Sequence, residues 1–420
     1  RIEQTGYGVL AFITNHGFID NPTFRGMRQS LMQTFDDIYI LDLHGNVKKK
    51  EICEDGSKDE NVFDIQQGVV ICIFVKRLNS NPGLANVFHS NLLGRREEKY
   101  GWLDYHDCRT ENWKSIKPQS PFYLFNPQDT SLLNEYEKGW SITEIMLEKS
   151  LGCLTKRDRL VIGKTKNEVR DKIKNFLDPK FTDEQAASEF GLLLSDNDMW
   201  NVFKARKSVE INEIEEYIRE ESFRPFDTRY IRIMQHLDKD NLAFVTVRQL
   251  AALPFDHIWL TDQLADQHLV SVRTKEGGVV LPLYLYPETE AERAMGMTRR
   301  PNLSQPFIDD ITHHLGYTPT PEAIFHYIYA IFHSPTYRTR YAEFLKIDFP
   351  RVPLTRDNIL FTQIATLGEQ LVQLHLMQSP KLTQKKAQPK FIDNGGNSMV
   401  DPGQPKFING NVIINKKGDA

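Results

Sequence analysis

The 420-residue sequence is 40% hydrophobic and 26% charged with a formal net charge of −4, a globular composition that excludes a disordered or fibrous chain. Its four cysteines, Cys53, Cys72, Cys108 and Cys153, are scattered without a CxxC pair; this argues against a disulfide framework or thiolate zinc site and fits a reducing cytoplasm. No run approaches the roughly 18 apolar residues of a membrane span, and no basic, then apolar, leader opens the chain.

Val9–Thr14 is a short, continuously apolar run, as expected of a strand covered on both faces. Thr23–Phe35 follows with Phe24, Met27, Leu31 and Phe35 spaced for one face of a helix. Asp37–Leu43 reads as a second strand ended by Gly45-Asn46, and Val69–Val75 as a third after a charged loop. This order predicts the end of an open α/β sheet, with a hairpin-like return that makes the last strand antiparallel. Asn91–Leu103 reads as a helix burying Trp102 and Leu103, and the proline-bearing stretch from Lys117 to Asp129 as a boundary.

Further along, Lys156–Lys174 holds eight Lys/Arg against three Asp/Glu, and a second basic stretch runs from Lys204 to Arg232, diluted by glutamates. Such stretches serve phosphate binding or are simply solvated helix faces, and charge alone does not choose. In Phe223-Arg-Pro-Phe-Asp-Thr-Arg-Tyr230 the proline enforces an extended backbone. Its arginines suit phosphate or a guanine edge, while Asp227 could equally lock Arg224 or Arg229 in a turn.

Thr320-Pro321 is an N-cap followed by proline at the first helical position, and Ile324, Phe325, Ile328, Tyr329 and Phe332 give that helix an apolar face. Ser334-Pro335 opens a second helix with Tyr337, Tyr341, Phe344 and Leu345 inward and Arg338 and Arg340 elsewhere. The pair fits a DNA-reading helix-turn-helix or, better given its aromatic content, a supporting αα-hairpin. His313-His314, His326 and His333 lack the company of a metal site. Gln388–Asp393 and Gln404–Asn409 form an imperfect repeat, each half a brief strand beside Asn/Gly turns. The chain opens on Arg1, and both ends read as cut, with the partners of the final strands beyond Ala420; a disordered tail is the other reading of that polar segment.

GYGVLAFITNHGFIDNPTFRGMRQSL (6–31), IYILDLHGN (38–46) and NVFDIQQGVVICIFVKR (61–77) resemble the later motifs of N6-adenine DNA methyltransferases, most closely those of type ISP restriction–modification enzymes. The resemblance continues in ordered blocks to residue 377: Thr155–Ile162, Glu221–Tyr230, Leu242–Gln249, Leu281–Tyr286, Tyr327–Tyr341 and Phe349–Pro353. It implies that residues 1–115 are the distal half of a Rossmann-like methyltransferase sheet. Residues 116–420 would be a mixed α+β target-recognition (specificity) domain, truncated at its C-terminus.

The implied activity is methyl transfer from S-adenosylmethionine to an adenine flipped out of a recognised duplex, with Phe63 stacking on that base. Without the resemblance, Phe63 reads as a core residue at the start of a strand. The DNA-binding candidates are Arg25, Arg28, Arg224, Arg229, Arg232, Arg338 and Arg340; no metal ligands are expected. Neither an NPPY-type loop nor a Gly-rich cofactor turn is present: Asn21-Pro22, Asn81-Pro82 and Asn126-Pro127 lack the second proline and the aromatic. The implied parent carries those motifs upstream in the same polypeptide, together with nuclease and helicase portions that use Mg2+ and ATP, and works on double-stranded DNA in the cytoplasm. A non-catalytic specificity subunit and a solitary type II adenine methyltransferase are the alternatives.

Overall fold

The computed structural model describes residues 2–47, 49, 51–53, 55–78, 83–197, 200–209, 213–233, 241–250, 254–272, 274–287, 296, 298–384, 392, 400–404 and 406–417. Its architecture is mixed α/β, with several sheets. The first is five-stranded, built from β1 (Gly8–Asn15), β2 (Asp37–Asp42), β3 (Val69–Lys76), β4 (Asn86–Asn91) and β5 (Lys114–Ile116) in the order β1-β3-β2-β4-β5. The expected return is present: β3 inserts between β1 and β2 and runs antiparallel to both, while β2 and β4 are parallel.

The period-2 alternation of a strand divides the apolar residues between two layers. Ile38, Ile40, Val70, Cys72, Phe74 and Val87 pack with Met32 of α1 (Arg25–Thr34), Phe35 and Phe125. On the other face Leu41, Val69 and Ile71 meet Trp102 and Leu103 of α2 (Arg96–Tyr105), as their apolar character predicts.

Two expectations are corrected here. β1 is not covered on both faces: Val9 is 64% and Ile13 50% exposed, because β1 is an edge strand paired only with β3 among the described residues. The helix expected from Asn91 starts only at Arg96, because Asn91 still pairs with Asp42 in the β4 ladder and Gly94, at φ +149°, turns the chain. α1 likewise opens later than its periodicity suggests, after a 3₁₀ turn at Pro22–Phe24 capped by the Asn21 side chain.

After Phe125 the chain leaves the first core and enters another at Tyr136. The helices α3 (Lys166–Leu177), α4 (Asp183–Phe190) and α5 (Val202–Ser208) surround Val169, Ile173, Phe176, Phe190 and Val202. Beside them lies a four-stranded sheet in which β6 (Ile218–Arg224) and β7 (Asp227–Arg232) form a hairpin between the short strands Leu264–Ala265 and Ile162–Gly163. A further sheet, with β8 (Ala243–Thr246) between β9 (Ile258–Thr261) and β10 (Val279–Pro282), packs on α6 (Gln305–Leu315), α7 (Pro321–His333), α8 (Pro335–Arg340) and α9 (Asn358–His375) in the largest core.

The predicted start of α7 is observed: Thr320 accepts from the Ala323 amide and Pro321 takes the first turn. Phe244 and Phe325 stack at 3.8 Å, and Tyr337, Tyr341, Phe344 and Leu345 are buried. The α7–α8 pair is therefore a supporting αα-hairpin. Gly368 of α9 lets the two long helices touch, since a Cβ there would lie 1.9 Å from the His326 carbonyl oxygen.

Of the C-terminal repeat, the first half lies outside the described residues except Ile392. The second forms the strand Lys406–Ile408, whose partner, Asn411–Ile413, is the next stretch of the same chain, not one beyond its end. No described helix is long and apolar enough to cross a membrane.

Candidate base-stacking loop and DNA-facing hairpin

In open α/β sheets ligands gather outside the carboxyl ends of the strands. At that edge of the first sheet β1 runs into His16 and β2 into His44. The buried His16 ring lies 3.1 Å from Asp42 through Nδ1, while Nε2 lies 3.2 Å from the Asn46 amide nitrogen. Gly68 is required beside it, because a Cβ there would come within 2.3 Å of the imidazole. Burial works against ionisation of Asp42, but the hydrogen bond with His16 and the charge of His44 hold its pKa down to about 2. His44 shows the converse balance: burial opposes its charge, yet its bond to Glu51 and the Asp42 carboxylate raise it to about 9. It is a fixed cation at neutral pH.

The loop from Asp59 to Gln67 leans on this edge. Asn61 is buried and its amide donates to the carbonyls of Gly45 (3.0 Å), Ile65 (3.2 Å) and Gln67 (2.7 Å), while its oxygen accepts from the Phe63 amide at 2.9 Å. Gly45 permits this approach, since a Cβ would lie 2.4 Å from Asn61 Cα. Asp59 accepts from the amides of Gly45 and Gly94 and pairs with Lys99 at 2.7 Å, both side chains being fully buried. Lys99 in turn donates to the carbonyls of Leu43 and Glu60.

Fixed from below in this way, the loop leaves Phe63 and Ile65 each 45% exposed. Phe63 is thus not a core residue at the start of β3, which begins six residues later at Val69. An aromatic face held on a braced loop, open to solvent at this edge, can stack on a planar ligand. Sequence reasoning singled out Phe63 but missed the meeting of His16 with Asp42, 26 residues on, and the Asp59–Lys99 pair, which converge only through the fold.

The β6–β7 hairpin presents a second set. Arg224 and Asp227 oppose each other, so Pro225 and Phe226 form the two-residue connection, with Phe226 at φ +62°. A side chain in this left-handed region costs about 1–2 kcal/mol. Phe226 is 63% exposed, and the covered third of the ring returns roughly 0.5–1 kcal/mol. That part of it stands perpendicular to Trp259 and His375, at 5.0 and 6.0 Å.

Behind the tip, Phe223 is sandwiched between the Arg224 and Arg229 guanidinium groups at 3.9 and 3.7 Å. The two pairings left open by the sequence divide: Arg229 takes Asp227, and Arg224 takes Asp266 at 2.7 Å. Opposite Arg229 in the ladder, Glu221 is fully buried with neither carboxyl oxygen hydrogen-bonded. Burial, reinforced by Asp266 and Asp158 and only partly offset by the two arginines, pushes its pKa up to about 8.

The remaining DNA-binding candidates separate by environment. Arg25 is exposed at the start of α1, where its backbone amide donates to the Pro22 carbonyl. Arg28 is a correction: it is fully buried and donates to the carbonyls of Phe18, Asn21 and Phe122, so it organises the chain around α1 and cannot reach a phosphate. Arg338 is also turned inward, donating to the Phe332 carbonyl with its guanidinium over the Phe255 ring. Arg232 is half-buried above Tyr217, and Arg340 is half-exposed but held by Glu135 through two bonds of 2.8 and 2.7 Å. The structure brings Arg224 and Arg229 together on the Phe223 ring, while Arg25 and Arg340 sit on helices that border different cores. No described cluster of three or more His, Cys, Asp or Glu side chains could hold a metal ion.

The turn after β1 leads into a four-residue helix, Gly17–Asp20, packed under buried His16, and offers no Gly-rich backbone to a cofactor.

Among solved structures the chain is similar to a DrdV–DNA complex, with 25% identity and a TM-score of 0.63, covering 88% of this chain and 38% of that one. It is also similar to a nuclease-deletion mutant of the Type ISP restriction–modification enzyme LlaGI in complex with a DNA substrate mimic (23%, TM-score 0.60, 88% and 35%). A third is the ATP-dependent Type ISP restriction–modification enzyme LlaBIII bound to DNA (21%, TM-score 0.61, 88% and 25%). The chain thus spans well under half the length of each of these, and the shared fold extends beyond the specificity segment. No curated protein matches it. The family model for the Type ISP C-terminal specificity domain matches residues 144–419, two thirds of the chain, and the protein belongs to that family.

Proposed function

We propose that this chain is the sequence-reading part of a site-specific adenine-N6 DNA methyltransferase within a restriction–modification enzyme. The match of residues 144–419 to the specificity domain, in a fold shared with proteins solved on DNA, carries the DNA-recognition part of this reading. The braced, half-exposed Phe63 supports the finer part: in this reading it supplies one flat face of the pocket that receives the flipped adenine.

The first sheet would be the distal half of a Rossmann-like methyltransferase sheet. The apolar edge of β1, unpaired among the described residues, supports this, since a sheet of this kind continues past that strand. S-adenosylmethionine would be held by residues outside this chain, and Mg2+ and ATP would serve nuclease and motor portions of the same polypeptide in the cytoplasm. On the duplex side, Arg224, Arg229 and Arg25 are the cations we assign to DNA, with Arg232 and Arg340 at the margin. The ion pairs of Arg224 and Arg229 orient their guanidinium groups and exchange for phosphate or a guanine edge on binding.

The test is fluorescence anisotropy of labelled duplexes across a salt series. Phosphate reading predicts that Kd rises at least about tenfold between roughly 50 and 200 mM salt. Affinity that is flat over that range removes DNA recognition by charge.

A further inference from the structure

We propose that Phe226 is a base-stacking wedge, inserting its ring at a base step of the duplex that the β6–β7 hairpin reads. This rests on the DNA-reading assignment made above and adds to it a residue that reads by shape and not by charge.

Three observations converge on this residue. The ring is at the extreme tip of a two-residue turn, 63% exposed, where Pro225 fixes the backbone ahead of it. The position has φ +62°, a conformation whose usual occupant is glycine, so the side chain is retained against the preference of its own backbone. Its contacts within the fold do not account for that, because it touches Trp259 and His375 with only a minor part of its surface.

Those two rings make a firm base. They stack on each other at 4.4 Å, and His375 is bonded to the Tyr329 hydroxyl at 2.6 Å, so the tip is backed by the largest core of the molecule. Arg224 and Arg229, clamped on Phe223, place a cation on each strand just behind the tip, with side chains 26% and 30% exposed.

A single projecting ring with two ion-paired arginines behind it on the same hairpin suits a nucleic-acid contact and differs from the broad apolar patch of a protein-docking face. The phosphates on either side of a step would neutralise the arginines while the ring covers the face of an unstacked base. Every base offers such a face, so the contact favours easily unstacked pyrimidine–purine steps and needs no hydrogen-bond readout.

The experiment uses the full 420-residue chain, a duplex selected by that chain from a random pool, and 2-aminopurine placed at successive positions. The wild-type chain is expected to raise emission several-fold at one step. Phe226→Gly and Phe226→Asn, both compatible with the left-handed turn, should abolish that rise and weaken binding about tenfold, the weight of one stacked base. Their Tm should equal or exceed that of the wild type.

Wild-type affinity with an unchanged emission profile in both variants overturns the wedge. So does a fall in Tm with affinity per folded molecule preserved, which would make the ring a cap on Trp259 and His375. Arg229→Ala separates the two levels. If the wild type binds and Arg229→Ala weakens it while the Phe226 variants do not, only the wedge fails; if the wild type binds no duplex, the DNA-reading assignment falls first.

Discussion

At the scale of single residues, the pH dependence of stability falls into separable windows. Glu221 titrates near 8 in the fold against an ordinary value of 4.5, so the folded chain retains a proton that the unfolded chain releases. Stability is therefore full below about 4.5 and declines as the pH rises toward about 8. Glu221→Gln should remove that decline, raising Tm on the order of 5 °C at the alkaline end and leaving it unchanged at the acid end. His44, raised from 6.5 to about 9, contributes stability that is complete below 6.5 and lost through 9. Asp42, lowered from 3.8 to about 2, contributes stability present above 3.8 and lost as the pH falls through 2. A Tm–pH profile of His44→Asn, which tolerates the left-handed backbone, should lose the upper of the two alkaline declines and shrink the acid decline of Asp42. An unaltered profile would detach His44 from Asp42 and Glu51. Phe63 belongs to this scale too: in the complete enzyme Phe63→Ala should cut methyl incorporation by at least about tenfold, the weight of one base-stacking face, with duplex Kd little altered. Undiminished turnover removes it from the base pocket.

At the scale of an element, the 59–67 loop depends on one buried ion pair. Lys99 and Asp59 are both fully covered, so removing one partner strands the other. Lys99→Met should destabilise the chain by about 3–5 kcal/mol in urea unfolding and open residues 61–67 to proteolysis before the rest melts. A loss below about 1 kcal/mol would mean that Asp59 is satisfied by the Gly45 and Gly94 amides alone. Such a loop was only partly legible in the sequence. Its aromatic and its Asn61 are visible as neighbours of a strand, but Lys99 lies on a helix after two intervening strands, and nothing in local spacing announces it. The hairpin shows the same limit. Pro225 predicted an extended turn, yet which arginine takes Asp227 was settled by Asp266, 42 residues later and just past a short strand, arriving on Arg224.

At the scale of the molecule, a negative net charge does not oppose the proposed DNA reading, because phosphate is met by local cations. The whole chain carries −4, while Lys156–Lys174 alone carries eight cations against three anions. Part of that excess is spent internally, Arg170 on Glu215 and Lys172 on Glu168, while Arg157 lies over the Trp200 ring. Lys164, Lys166 and Lys174 remain exposed. The salt titration therefore measures a few local cations and not the overall charge, and its slope should be modest.

By itself the sequence determined the first three strands of the first sheet, the antiparallel return of β3, the capped start of α7 and the family, because these rest on local periodicity, on turn chemistry and on the order of motifs along the chain. Only the tertiary structure decided what each polar side chain does. Arg28 and Arg338 read as cationic surface until packing buried the first and turned the second inward onto carbonyls; β1 read as a core strand until its place at the sheet edge exposed it. Phe63 and Phe226 read as ordinary core aromatics or as part of a motif until the fold left them facing outward. Burial and partnership are set by residues distant in sequence, so a pattern can say that a side chain is apolar or charged, and only the assembled fold says what surrounds it.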